Sequence, residues 1–178
     1  PPLQQPPLQQ PSLQQLLFKD KIEEIDFSNA TNLVEIDDNT FKDFSMIRKI
    51  DLSNCNKLTK INNNSFSGCL LLKEIKFPGS LEYIGEGAFD NCSELINIEL
   101  PEKITEIYNY TFRNCKKLSS IYSITADESG YYKAIPTDSE KSLFPVTRIG
   151  DSAFENCYDL EEFIIPKNLI FIGKKAFY

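Results

Sequence analysis

The chain of 178 residues carries 26 acidic against 19 basic side chains, a net charge of −7, and has no histidine. That length allows one ordinary domain with a real core, and the acidic balance argues against nucleic acid or an anionic membrane surface as the main partner, since both attract basic patches. No apolar run approaches the ~20 residues of a membrane span, and without histidine the commonest general base is missing.

In chain order, residues 1–15 read PPLQQ-PPLQQ-PSLQQ. Such a Pro/Gln tract favours an extended, solvated chain that builds no core alone, so it is expected to be a linker or arm. It has neither the charged start nor the apolar stretch of a secretion signal. From Ser12 the character changes: Ser12 can cap, and Leu13, Leu16 and Leu17 fall at helical spacing. This segment is expected to form a partial first coil that shields one end of a repeat domain over residues 16–178.

The repeat is the chief signal. Phe66, Phe89 and Phe112 lie 23 residues apart, as do Phe154 and Phe177. Three residues after four of them stand Cys69, Cys92, Cys115 and Cys157, and three further on Leu72, Leu95, Leu118 and Leu160. A fixed period in this range marks a solenoid of stacked coils. One rung per coil alternates inside and outside, as in Ile22, Ile25 and Phe27, then Ile47, Ile50 and Leu52, then Leu72, Ile75 and Phe77, then Leu95, Ile98 and Leu100. Leu160, Phe163 and Ile165 repeat the pattern as the last such rung. Short strands with one buried face are expected there, stacked in parallel from coil to coil. A second rung follows a proline corner at Pro78, Pro101 and Pro166, with Ile84-Gly85, Ile107-Tyr108, Ile149-Gly150 and Ile172-Gly173 at its end. On the third side, Ala88-Phe89 and Ala153-Phe154 suggest a helical turn with its apolar side inward. Asn91, Asn114 and Asn156, each before a cysteine, suit left-handed turn positions. The interval from Phe112 to Phe154 is 42 residues, so an insertion over about 122–145 is expected to leave the stack as a surface loop.

Four of the five cysteines share one repeat position and none forms a C-x-x-C. A buried column of apolar thiols is the simplest expectation, and a column is not a tetrahedral zinc site. Buried thiols are poor nucleophiles. Gly85-x-Gly87 lacks the lysine and length of a phosphate loop, and Asp37-Asp38-Asn39 lacks the spacing of a calcium loop. No catalytic residue, cofactor or metal is expected, and the chain is read as no enzyme.

The string L-x-x-I-x-[FL]-P-x-x-[LI]-x-x-I-G-x-x-A-F-x-x-C is carried by Leu72, Ile75, Phe77, Pro78, Leu81, Ile84, Gly85, Ala88, Phe89 and Cys92. It resembles the BspA-like leucine-rich repeat family over about residues 22–178. The resemblance implies an α/β, β-rich repeat solenoid: a right-handed coil stack with a parallel β ladder, short helical turns and here one inserted loop. It also implies surface or secreted proteins of microbes and protists, many regarded as adhesins, and no enzymatic role. The departures are Phe44 where cysteine is expected, longer corners in the first two coils, and the insertion.

Function is then expected on the surface. The outward columns of the first ladder are Glu24, Lys49, Glu74, Asn97, Ser120 and Glu162, and Asp26, Asp51, Lys76, Glu99, Tyr122 and Ile164. The candidate partner-binding face is Glu74, Lys76, Asn97, Glu99, Ser120, Tyr122, Glu162 and Ile164, with Tyr131 and Tyr132 on the insertion. The expected partner is a protein or peptide, host or extracellular-matrix proteins included, and not nucleic acid. Ile170 and Phe171, with a sequence that stops partway through a coil, suggest association through an uncapped C-terminal end. An intracellular scaffold and a structural spacer stand as alternatives to surface display.

Overall fold

The computed structural model describes residues 18–126, 132–134, 145–161 and 163–178. The Pro/Gln tract and residues 12–17 of the expected first partial coil lie outside them. Eleven short strands run in chain order: β1 (Glu35–Ile36), β2 (Lys49–Asp51), β3 (Lys60–Ile61), β4 (Glu74–Lys76), β5 (Tyr83–Ile84), β6 (Asn97–Pro101), β7 (Glu106–Ile107), β8 (Ser120–Ala126), β9 (Tyr132–Ala134), β10 (Arg148–Ile149) and β11 (Phe171–Ile172).

They sort into the two expected ladders. On the first, β2 pairs with β4 and β6 with β8, all parallel, with Ile50 opposite Ile75 and Ile98 opposite Ile121. A parallel bridge from Glu24 to Lys49 extends it backwards, and the Ile96 amide donates to the Lys73 carbonyl at 3.2 Å to join the halves. On the second, β1–β3–β5 and β7–β10–β11 are parallel, with Ile36, Ile61 and Ile84 in line, then Ile107, Ile149 and Ile172. Identical residues align because each coil repeats the inside–outside alternation of the last, so a slip of one residue would turn every apolar side chain to water.

The third side, where short helical turns were expected, consists of hydrogen-bonded turns without helix. Its amides alternate. One donates within its own turn, as Cys69 to Phe66, and the next donates to the following coil. These inter-coil bonds all point one way: Phe41 to Ser65 at 2.8 Å, Phe66 to Ala88 at 2.9 Å, Phe89 to Thr111 at 2.9 Å, Phe112 to Ala153 at 2.9 Å and Phe154 to Ala176 at 2.7 Å. The alternation needs left-handed residues. Asn91, Asn114 and Asn156 fill that role at φ 63°, 60° and 61°, as Asn does with low penalty.

Phenylalanine rings form the axis of the core. Phe41, Phe66, Phe89, Phe112, Phe154 and Phe177 stack with centroids 5.2 to 5.7 Å apart and planes within 16° of parallel. Beside them the cysteines form free thiols in a column. Each thiol donates to the phenylalanine carbonyl one coil back: Cys69 to Phe41 at 3.3 Å, Cys92 to Phe66 at 3.2 Å, Cys115 to Phe89 at 3.2 Å and Cys157 to Phe112 at 3.1 Å. A small apolar side chain with a weak donor fits a place that is both packed and facing a carbonyl.

The insertion leaves this register intact, since Phe154 still stacks on Phe112. Its start is not a loop. Strand β8 runs on past the corner where other coils turn, and β9 returns antiparallel to it, with Ile124 opposite Ala134 and Ala126 opposite Tyr132. The last expected rung is corrected by the structure: residues 163–166 form no strand. Phe163 is half-buried against Phe154 and Phe177, but Ile165, the equivalent of fully buried Leu100, is 54% exposed. Nothing among the described residues covers it, and the hairpin already uses the far end of β8.

Candidate functional surface

The first-ladder face presents its side chains in rows one strand apart, and those rows satisfy themselves. Lys49 Nζ lies 3.4 Å from Glu74 Oε1, while Lys76 Nζ lies 3.8 Å from Glu74 and 3.9 Å from Asp51. These carboxylates and ammoniums are about half exposed, so each pair contributes little to stability. Their effect is to set a fixed pattern of charge. Further along, the Ser120 hydroxyl donates to Asn97 Oδ1 at 2.6 Å and the Tyr122 hydroxyl to Glu99 Oε1 at 2.7 Å. Burial, then the bond to Glu99 and its charge, push the Tyr122 hydroxyl up to about 12. Tyr122 is thus a protonated donor at any ordinary pH.

Of the residues expected on this face, Glu74 and Lys76 fall in one patch and Asn97, Glu99, Ser120 and Tyr122 in the next. Ile164 is exposed on the strandless segment, outside the ladder. Glu162 and Tyr131 lie outside the described residues. Tyr132 opens β9, whose backbone faces Ala126.

Two features lie away from that face. On the second ladder, the Tyr83 and Tyr108 rings meet at 5.1 Å, and both hydroxyls are raised, first by burial and then by carboxylates. On the third side, buried Asp90 accepts from Arg113 Nε at 3.1 Å and also from its Nη2, while Asn114 Nδ2 donates to the same carboxylate at 3.1 Å. The Arg113 guanidinium also stacks on Tyr110, 4.5 Å from the ring centre. This cluster borders an open depression of about 310 Å³. Asp90 to Arg113 is one period, so the pair was visible as a spacing; that Asp90 points inward was not.

Burial disfavours the thiolate form of the cysteine column in its folded setting. Burial pushes Cys69 and Cys157 up to about 12, and it raises Cys92 and Cys115 well above the ordinary range. Among the described residues, no group of carboxylates and thiols is arranged to hold a metal ion, and no helix is long and apolar enough to cross a membrane.

A parallel ladder, one-way amide side and stacked phenylalanine column repeated at 23 residues define a leucine-rich repeat solenoid. The family model of the BspA-type leucine-rich repeat region matches residues 12–127 and 128–178 with six copies, and the chain belongs to that family. Three solved structures share the fold. A leucine-rich cell surface protein of Faecalibacterium prausnitzii superposes with a TM-score of 0.61 at 23% identity over 82% of this chain and 34% of that one. The leucine-rich repeat protein of T. pallidum gives 0.54 at 24% identity, covering 79% of this chain and 67% of that one. One from Eubacterium ventriosum gives 0.51 at 22% identity, covering 83% and 40%. The chain therefore spans about a third of the length of the Faecalibacterium protein. A search of curated proteins returns no match.

Proposed function

We propose that this domain is a non-catalytic protein-binding module displayed at the cell surface or secreted, acting in adhesion or contact with a host. The observation that carries the reading is the hairpin. The insertion adds a strand to the edge of the first-ladder sheet, beside Tyr122. Rigid sheets that carry an irregular segment at one edge are a common way to build recognition surfaces. The contact surface we assign runs from Glu74 and Lys76 through Asn97, Glu99, Ser120 and Tyr122 to Glu162 and Ile164, with Tyr131 and Tyr132 contributed by the insertion. Its partner is a protein or peptide. The cell-surface description of the Faecalibacterium protein supports the location by analogy of fold. Residues 1–15 serve as an extended arm in this reading.

The test replaces residues 123–144 by a short proline corner of the kind used at Pro78. Binding is then measured to a panel of immobilised extracellular-matrix proteins and to host cells. Loss of binding with an unchanged melting temperature supports the reading. Undiminished binding, or no binding by the parent protein, counts against it. The five free thiols favour a second reading, an intracellular scaffold. Protease treatment of intact cells separates the two, since only a displayed protein is cleaved.

A further inference from the structure

The third side carries one left-handed residue per coil in a column: Asn39, Asn64, Gly87, Tyr110, Ser152 and Lys175, at φ between 53° and 60°. Gly87 alone among them has no side chain. A gap therefore opens in mid-array between Asn64 and Tyr110, two coil steps apart, or ~10 Å at the spacing of stacked strands. This gap is the depression of about 310 Å³, bordered by Glu86 and Arg113, with buried Asp90 beneath.

Its polar groups are fixed in place, yet part of their bonding capacity is unspent. Arg113 commits Nε and Nη2 to Asp90 and lies on the Tyr110 ring, so the guanidinium has a set orientation. Its Nη1 has no partner among the described residues. Asn63 Oδ1 accepts from the Glu86 amide at 2.9 Å, which leaves that carboxamide's Nδ2 unbonded. The Glu86 carboxylate and the Asn64 carboxamide make no hydrogen bond or ion pair among the described residues. A buried ion pair such as Asp90 with Arg113 contributes less to stability than its geometry suggests, because both charges lose water. What it secures is the direction of the guanidinium, as a binding site requires.

The charges select the ligand. Asp90 cancels Arg113, and Glu86 leaves the depression negative, so a carboxylate, phosphate or sulfate is repelled. A cation meets the guanidinium in the same space. A neutral polyhydroxyl group meets fixed donors and acceptors and no opposing charge. A separate observation points the same way. The Tyr83 and Tyr108 rings meet at 5.1 Å on the adjoining side, and the Tyr83 hydroxyl is raised by burial, then by the charges of Asp38 and Glu86. Glu86 thus stands between the aromatic pair and the depression. Aromatic faces beside planar polar side chains suit a sugar ring, which has an apolar C–H face and a hydroxyl edge. We infer that the third side holds a carbohydrate site, which takes one neutral sugar unit of a glycan between Asn64 and Tyr110, flanked by Tyr83 and Tyr108. Arg113 Nη1 and the Asn63 and Asn64 amides donate to its hydroxyls, and the Glu86 carboxylate accepts from them. The volume is at the small end for ligand pockets, so single sugars bind weakly and clustered ones gain by avidity.

The site lies on a different side of the coil from the first-ladder face, and it stands whether or not that face binds protein. The test immobilises the full chain and measures binding of polymers bearing glucose, galactose, mannose or N-acetylglucosamine, with sialylated and sulfated polymers as charged controls. At least one neutral polymer is expected to bind and to be displaced by its free sugar. Gly87→Asn fills the gap with the residue that Asn39 and Asn64 already place at this backbone angle. The new side chain displaces only Asn64 Oδ1, 2.6 Å from the added Cβ. Binding falls about tenfold, as for one or two lost hydrogen bonds, while the melting temperature holds. Glu86→Ala removes an exposed side chain with no partner among the described residues, so it reports on binding even where Gly87→Asn unfolds; a similar fall is expected. Replacement of residues 123–144 leaves sugar binding unchanged. Failure of every neutral polymer to bind overturns the inference, as does binding of charged polymers alone. So does neutral binding that survives Glu86→Ala and a folded Gly87→Asn, or that disappears with residues 123–144 in a folded chain.

Discussion

Phe89→Ala tests the stacked core most directly. The ring is fully buried, lies parallel to Phe66 at 5.4 Å and to Phe112 at 5.7 Å, and meets the edge of Phe77 at 5.9 Å. Its transfer from water contributes about 2–3 kcal/mol, and the void left between two flat rings with backbone bonds on both sides can collapse little. The expected loss is therefore about 4 kcal/mol, within the range for buried phenylalanine. Phe177→Ala is the matched control: the same residue type at the same repeat position, 43% exposed, with Phe154 at 5.2 Å and Phe163 at 4.8 Å. It forfeits about half the transfer contribution and leaves no closed cavity, so about 1 kcal/mol is expected. Urea unfolding followed by circular dichroism reads both. Because coils contact only their neighbours, the central deletion is also expected to broaden the transition or lower its slope, as the two halves uncouple. Equal losses at the two sites, or a loss below about 1 kcal/mol at Phe89, would refute the idea that the column is a continuous core.

Asp90→Ala leaves the Arg113 guanidinium without its carboxylate and Asn114 without an acceptor; a loss of about 2 kcal/mol is expected in the same urea assay, with Asp90→Asn recovering part of it. Gly150→Ala places a methyl 2.5 Å from the Asn109 amide nitrogen and 2.6 Å from the Tyr108 carbonyl carbon. Backbone cannot step aside, so a destabilisation of about 1–3 kcal/mol follows, seen as a lower melting temperature. The thiols should resist a disulfide reagent at pH 8 until denaturant is added, with half-buried Cys157 the first to react. Burial lifts Cys69 and Cys157 from an ordinary value near 9.0 to about 12. The folded state therefore keeps protons that the unfolded state loses: this stabilisation holds below about pH 9 and fades as pH rises towards 12. Urea midpoints measured across that window should fall, and a flat profile would contradict the burial.

What the sequence made legible is whatever recurs in phase. Phe66, Phe89 and Phe112 announced the column, and the Ile-x-Leu rungs announced both ladders, because a buried face imposes the same residue class on every coil. The glycines after Ile84, Ile149 and Ile172 were visible as a pattern; only the structure shows that backbone of the preceding coil leaves no room there for a methyl. The third side was misread as helical because an apolar residue every three positions fits a helical turn and a stack of turns equally well. The alternation of amide direction, set by left-handed residues as different as Asn91, Tyr110 and Lys175, leaves no single residue signature. The hairpin was read as a loop since its strands are irregular in composition, and pairing between β8 and β9 is a property of the fold. On the candidate face, alternation alone put Glu74, Lys76, Asn97, Glu99, Ser120 and Tyr122 on paired strands, whereas Ile164 lies on a segment that forms no strand. That Tyr122 spends its hydroxyl on Glu99 and Ser120 spends its own on Asn97 depends on rotamers that spacing does not reveal. Ile165 departed from its expected burial: no strand forms at its rung, and among the described residues nothing covers it.

The insertion separates distance along the chain from distance along the stack. Phe112 and Phe154 are 42 residues apart in sequence yet 5.6 Å apart in space, the same step as neighbours one regular period apart. Coil counting is therefore enforced on all three sides, by β6 against β8, β7 against β10 and Phe112 against Ala153, and the first corner is left to carry the extra length. A foreign segment of similar length, an epitope or a small tag, spliced there would ride on the array without resetting its frame.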